Sequence, residues 1–340
     1  MSESYLEALK ATRRLCAERY PDGGWLPPGR QMAKELGVSV VTYGKALERM
    51  VWEGQLESRP RQGHYVIPSR LRLRKVGMIL ADGTESPFLA GLDGCVAAMT
   101  PLAVRGLHSH LIQGRLERLH DNALLHGVDG LIWLTPSSRA AESVAAIVAA
   151  GDPPLLLTHP EAPPEILATG AQLVEYDEEL QAQAKAKSIL ARGHRRVAYV
   201  GNHEFAVKSG LAAALAAAGV ELTPELCVRS ASQEPGRLAA LVKRHGVTGV
   251  IAEGGGLAAL RLFEELAAMP EAQRPELQPF PFEGLKELQS MFPNVKVIHL
   301  ELRRPGGLEA LAAKIMADHL LLGKPLRSAK LAPIGANQGS

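Results

Sequence analysis

Apolar and polar positions run along this chain with two different rhythms. Over residues 4–19 a helical spacing sets Leu6, Leu9, Arg13 and Cys16 on one side, with Leu15 beside them. Residues 21–24 close that helix, and Trp25 and Leu26 are expected in a small core. A short amphipathic helix follows, with Pro28 in its first turn, where the missing N–H costs nothing. Gly37 breaks it. Ser39 is placed to cap a further helix, whose Tyr43, Ala46, Leu47, Met50 and Val51 share one face until Gly54 stops it. Residues 55–59 and 64–67 then read as a hairpin around a basic tip at Arg61 and Gly63. Helix, tight turn, helix and hairpin describe a winged helix-turn-helix over residues 1–68, with the 4–19 helix packed behind it. Such a module places one helix in a DNA major groove.

From Val76 the rhythm changes to continuous apolar runs separated by helical stretches. Strands are expected at 76–82, 107–112, 128–134, 154–158 and 173–176, with helices from 86 to about 99, over 114–126 and up to 150. A second region repeats the pattern, with helices at 178–191, 205–218, 234–245 and 257–268 and strands at 196–200, near 227 and at 247–252. Residues 270–294 carry five prolines and no clear periodicity; 295–300 reads as a last strand and 307–322 as a last helix. Buried strands alternating with helices define an α/β body with doubly wound parallel sheets. The expected division is a head over 1–68, a linker over 69–75, a body over 76–332 with lobes at about 76–176 and 177–294, and a frayed tail over 333–340. For the linker, PSRLRLRK, two readings stay open: Arg70, Arg72, Arg74 and Lys75 reach phosphates, or Leu71 and Leu73 pack as a strand.

Composition narrows the class. An apolar fraction of 46% belongs to a folded chain, and 340 residues suffice for two or three cores. Cys16, Cys95 and Cys227 have no zinc-like spacing and read as buried thiols of a reducing compartment. The first residues lack the apolar core of a secretory signal, and no run suits a membrane span, so a cytoplasmic location is expected. The net charge of +2 conceals a division: residues 1–75 hold 14 lysines and arginines against 8 acids, and the remainder 24 against 28. A basic head on a mildly acidic body fits nucleic-acid contact at one end. Catalytic signatures are missing: neither GxxxxGK nor GxGxxG accompanies Gly254–Gly256, no H-E-x-x-H involves His108, His110, His120 or His126, and no G-x-S-x-G elbow occurs. No metal, cofactor or enzyme activity is expected.

The head resembles the DNA-binding domain of the GntR family of bacterial transcription regulators. The matching residues are Leu26, Pro27 and Arg30, the turn of residues 36–39, Thr42, Ala46, Leu47, Glu-Gly-x-Leu at 53–56, and Gly63, Tyr65 and Val66. The resemblance implies phosphate contact by Arg30 and groove contact by Ser39, Val40 and Thr42. Lys45 and Arg49 follow along the outer helix face, and Arg59, Arg61, Gln62, Gly63 and His64 form the wing. Two positions depart from the family: Val40 stands where an arginine commonly reads guanine, and Arg61 replaces the first glycine of the wing.

The body resembles the LacI/GalR effector domain, which shares the periplasmic-binding-protein fold. The matching segments are Ser86, Pro87, Phe88, Leu89 and Gly94; Val-Asp-Gly-Leu-Ile at 128–132; Gly-His-Arg-Arg-Val at 193–197; Gly210, Ala214, Leu215 and Gly219; and the stretch 307–325. The resemblance implies two lobes with a ligand at the carboxyl ends of the strands, near Asp82, Glu85, Ser86, Phe88, Trp133, His159, Asp177, His203 and Glu253. The family's sugar anchors are absent: Val207 occupies the arginine position, Gly254–Gly255 the Asn-Asp pair, and Phe282–Glu283 the Gly-Phe-Asp segment. Lys208 or His203 and Glu253 are the replacements at hand, whereas Phe88 and Trp133 either stack on a ligand ring or belong to the core. Together these features imply a homodimeric repressor that binds a palindromic double-stranded DNA operator under control of a small polar, sugar-like effector. The alternatives are a DNA-binding or architectural protein whose body only dimerises, and a solute-binding protein.

Overall fold

The computed structural model describes residues 3–68, 71–80, 90–160, 162–253, 256–279, 284–300, 302 and 306–333. Three helices build the head: α1 (Glu3–Arg19), α2 (Gly29–Glu35) and α3 (Val40–Trp52). Their inward spacing buries Leu9, Met32, Tyr43, Ala46, Leu47 and Met50 in one cluster, while Val51 packs at its edge. A three-stranded antiparallel wing, β1 (Gly24–Trp25), β2 (Leu56–Arg59) and β3 (Gly63–Val66), adds Leu56 and Val66 to that core, with β3 central. Trp25, expected inside, lies on the short β1 and stays 39% exposed. There it meets Tyr65 edge-on at 5.3 Å between centroids.

The chain divides into two compact units: Met1–Glu175 with Pro305–Leu331, and Tyr176–Arg304 with Ala332–Ser340. The head therefore shares a unit with the first sheet. That sheet contains β4 (Lys75–Leu80), β5 (His108–Ile112), β6 (Gly130–Leu134), β7 (Leu155–Thr158) and β8 (Gln172–Tyr176), joined at its margin by β13 (Ala329–Leu331). The order is β13-β8-β7-β6-β4-β5, and the pairs from β8 to β5 are parallel. The connecting helices are α4 (Ala90–Val104), α5 (Leu119–His126), α6 (Ala141–Ala150) and the single turn α7 (Pro164–Leu167), with α14 (Gly307–Leu322) returning from the far end of the chain. Residues alternate between the two sheet faces. Ile79, Leu131, Trp133, Leu155 and Leu157 fill one cluster with Ala123 of α5 and Val144 and Ile147 of α6. On the other side α14 packs against α4, β6 and β7. A Cβ on Gly130 would lie 2.6 Å from the sulfur of Met316, so glycine lets α14 approach the sheet.

The second unit repeats the design with four parallel strands, β9 (Val197–Val200), β10 (Cys227–Val228), β11 (Gly249–Ala252) and β12 (Glu276–Gln278), in the order β10-β9-β11-β12. Its helices are α8 (Glu178–Ala191), α9 (His203–Lys208), α10 (Leu211–Ala216), α11 (Arg237–His245), α12 (Gly256–Ala268) and α13 (Leu285–Met291). Three expectations change here. The helix expected over 205–218 splits at Gly210, whose φ of 83° is left-handed. The proline-rich stretch contains β12 and α13, because leucines 277, 285 and 288 find a core that no local period announces. The last strand reduces to one bridge, Leu277 to Val297. No helix among the described residues is long and apolar enough to cross a membrane.

Candidate nucleic-acid interface and effector residues

Ser39 caps α3, its hydroxyl oxygen accepting from the Thr42 N–H at 3.0 Å. That bond satisfies an otherwise orphaned donor and sets the start of the helix. Val40 and Val41 are 51% and 70% exposed at this turn, so neither serves the core. Lys45 and Arg30 are exposed as well. The α3 surface is thus an apolar first turn followed by a lysine. At the wing, Gln62 N–H donates to Arg59 O at 3.1 Å, closing a turn with Pro60 and Arg61 as its central residues. Arg61 has a φ of 67° there, the region glycine prefers and the geometry of the third residue of a type II turn. The glycine replaced by Arg61 leaves its backbone conformation behind, now with an exposed cation on it. Gln62 and Gly63 are exposed beside it, and burial pulls the half-buried His64 below the usual imidazole range. Arg59 is partly committed: it bonds Glu57 at 3.1 and 3.0 Å and lies 5.5 Å from the Trp25 ring. Its hydrogen bond holds the Glu57 carboxyl below the usual range.

Arg49, expected at DNA, turns inward instead. Its Nε donates to Glu53 Oε1 at 2.8 Å and its guanidinium lies 4.5 Å from the Trp52 ring centre. Glu53, the C-cap of α3, has a fully buried side chain and takes a second cation, Arg13 of α1, at 2.6 Å. Arg13 also donates to the carbonyl of Leu124 in α5, and Lys75 Nζ reaches Glu53 O at 3.4 Å. The carboxylate rests on Gly127, which ends α5 with a φ of 60°; a Cβ there would come within 2.5 Å of it. A buried ion pair within the head is therefore seated on the first sheet's helix layer, through the Arg13 bond to Leu124 O and the packing of Glu53 on Gly127. The sequence signal was slight: Glu53 falls three residues after Met50, on the inward face of α3. Of the linker cations, Arg70 lies outside the described residues, and Arg74 and Lys75 have structural partners. Arg74 donates to the Leu320 carbonyl, and Lys75 N–H to Asp129 Oδ2 at 2.8 Å. Leu71 and Leu73 are exposed, so the packed-strand reading of that segment does not describe it.

The effector candidates separate. Asp82, Glu85, Ser86 and Phe88 lie outside the described residues. Trp133 is fully buried in the first sheet's core and is removed as a stacking surface. His159 follows β7, its N–H bonded to Val174 O at 3.1 Å. Asp177 caps α8 through the Leu180 N–H at 3.1 Å, a structural use of its carboxylate. In the second unit, His203 opens α9 with Nε2 3.3 Å from Leu222 O, and Lys208 is exposed at its end. Glu253 stands at the carboxyl end of β11 and pairs with Lys185 of α8, whose side chain is 6% exposed. The sequence signal for Lys185 is its spacing: Gln181 and Lys185 lie one turn apart on the buried face of α8 with Ala182 and Ile189. Among the described residues no group of three or more His, Cys, Asp or Glu is disposed to hold a metal.

This geometry defines a class: a winged helix-turn-helix joined to a body with the two-lobed LacI-type, periplasmic-binding-protein-like fold. The comparisons agree with the body's part. The regulator CcpA of Lactococcus lactis superposes with a TM-score of 0.54 at 16% identity, covering 77% of this chain and 96% of that one. The regulator CelR in its cellobiose complex superposes with a TM-score of 0.53 at 17% identity, covering 90% and 97%. In sequence, the HTH-type transcriptional regulator GntR of Escherichia coli K12 is 30% identical over 170 residues, 48% of this chain and 47% of that protein. The chain thus spans about half the length of the curated relatives it matches. That alignment is more than twice as long as the head, so most of it lies in the body. These similar proteins are regulators, not enzymes. No protein-family model matches the sequence.

Proposed function

We propose that this protein is a DNA-binding transcription regulator of the cytoplasm, acting as a homodimeric repressor on a two-fold symmetric operator. The observation that carries the reading is the capped, exposed first turn of α3 beside a basic wing, on a body whose similar folds belong to regulators. Arg30, Lys45, Arg59 and Arg61 supply phosphate contacts, which give affinity without sequence information. Ser39, Thr42 and Val40 meet base edges, Val40 through apolar contact such as a thymine methyl. Gln62, Gly63 and His64 complete the wing. Arg49 is assigned to the junction with Glu53 rather than to DNA.

Dimerisation is supported by the apolar surface of α4, where Val96, Met99 and Val104 are exposed, and by exposed Leu111 on the edge strand β5. Two linked heads multiply a modest single-site affinity. A small polar effector at the strand ends, with His203, Lys208 and Glu253 as contacts, follows from the similar proteins solved with cellobiose and ribose. Since Glu253 is already neutralised by Lys185, the ligand is expected to be uncharged at that point.

The test is selection of genomic fragments by the full chain at near-physiological salt, followed by sequencing. A shared palindrome is the expected outcome, with retention falling steeply as salt rises. Fragments without a common sequence would sink the regulator reading.

A further inference from the structure

A cavity of about 620 Å³ opens where the head meets the first sheet's helix layer, away from both the α3 surface and the strand ends. Lys10, Arg13 and Arg14 of α1 line one wall; Arg72, on the segment leading to β4, lines a second; His120, Asp129 and Asp152 line the side opposite α1. The volume suits a small molecule.

The charges in it are not equally committed. Arg14 bonds Glu18 at 2.7 Å, Arg13 bonds Glu53, and Lys10 lies 4.0 Å from Asp121. Arg72 differs. It is half buried, and its Nε is shielded from solvent without a hydrogen-bond acceptor; Arg13 Nε shares that condition, but Arg13 already holds Glu53 through Nη2. The nearby Asp129 is a poor counter-ion, because it already accepts the Lys75 N–H and burial pushes its carboxyl above the usual range. A guanidinium N–H withdrawn from water without an acceptor is destabilising, and an oxyanion that can present two oxygens, carboxylate or phosphate, is the natural complement of such a side chain. Asp152 and Gln55, also on the wall, offer acceptors for hydroxyl groups.

We propose that this junction cavity is a second small-molecule site, taking a hydroxylated anion whose phosphate or carboxylate lies on Arg72 and whose hydroxyls donate to Asp152. Such a ligand touches α1 and the α5 layer together, so it binds only while the head is docked. By linkage it stabilises the docked head. The proposal is independent of an effector at the strand ends.

The test is thermal unfolding of the full chain with glucose 6-phosphate, inorganic phosphate or glucose, at ionic strength held constant with potassium chloride. The expected result is a saturable rise in Tm with glucose 6-phosphate, a smaller rise with phosphate, and none of this kind with glucose. Arg72→Met weakens the apparent anion affinity by at least about tenfold. Lys45→Ala, on the DNA surface, leaves it unchanged. Asp152→Asn, on the far wall, weakens glucose 6-phosphate while sparing phosphate, and it keeps the proposal testable if Arg72→Met does not fold. Absence of any anion effect beyond chloride overturns the inference, as does an effect that persists undiminished in Arg72→Met. A glucose shift equal to that of its phosphate and indifferent to Arg72 also overturns it, while supporting the effector reading above.

Discussion

Glu53 provides the sharpest test of how the head is held. Its side chain is fully buried, with Arg13 15% and Arg49 27% exposed. Glu53→Ala leaves two guanidiniums facing each other without a counter-charge. Breaking a buried pair in this way costs about 3–5 kcal/mol. Arg13 keeps the Leu124 carbonyl and Arg49 keeps the Trp52 face, which favours the lower end, about 3 kcal/mol. For a unit of this size that corresponds to a Tm lower by roughly 6–12 °C. Because Arg13 and Arg49 belong to the head itself, this variant loosens both the head and its seat. Gly127→Ala separates the two, since it changes no charge. It imposes a left-handed alanine, about 1 kcal/mol, and drives a methyl into the Glu53 carboxylate. Calorimetry of the full chain is the assay. In the native protein the head and first sheet are expected to melt together; Glu53→Ala and Gly127→Ala should each release a separate head transition at lower temperature. If both variants melt as one transition within about 2 °C of the native protein, the buried contact does not hold the head.

Other consequences follow from single residues. Arg61→Gly removes a left-handed non-glycine residue and should stabilise the head by about 1 kcal/mol, while DNA binding weakens and its salt slope falls by about one; chemical denaturation and salt-dependent binding read the two separately. Arg274 donates to the carbonyls of Leu266, Ala267 and Met269 at the end of α12 and to Asn294. Arg274→Ala should therefore cost about 2–3 kcal/mol in urea unfolding of the second unit. Asp318 of α14 pairs with Arg105, just past the C-terminus of α4, and with Lys324, whose hydrogen bonds hold its carboxyl down to about 2. Since its folded pKa is depressed, its stabilisation is present above the unfolded value near 4 and is lost as pH falls toward about 2. Asp318→Asn should flatten the acid limb of a pH-stability curve in that window. His126 and His110 are pushed below the usual imidazole range, by burial first and by neighbouring Lys75 in both. Acidification below about pH 6.5 should therefore weaken the junction, and His126→Gln should blunt that loss in calorimetry across pH.

The local pattern determined a great deal of this protein. The period of α3, the cap at Ser39 and the stop at Gly54 are legible because each depends on residues within a few positions of one another. The apolar runs behind β4, β6, β7, β9 and β11 are legible for the same reason: buried parallel strands need no alternation. The breaks in legibility fall where a segment takes its structure from distant partners. β12 and α13 lie in a proline-rich stretch and form because Leu277, Leu285 and Leu288 meet a core built by other segments. Trp133 reads more readily as core than as a stacking ring, and the sheet decides it by placing the ring with residues of α5 and α6. Arg49 has the composition and helix position of a DNA contact; only a buried carboxylate four residues on, seated against Gly127 from another helix layer, turns it inward. Glu253 likewise reads as a free anchor until Lys185, 68 positions away, neutralises it. A sequence displays charges and periods, but the partner that satisfies a buried charge is chosen by tertiary packing, because desolvation penalises any charge left alone.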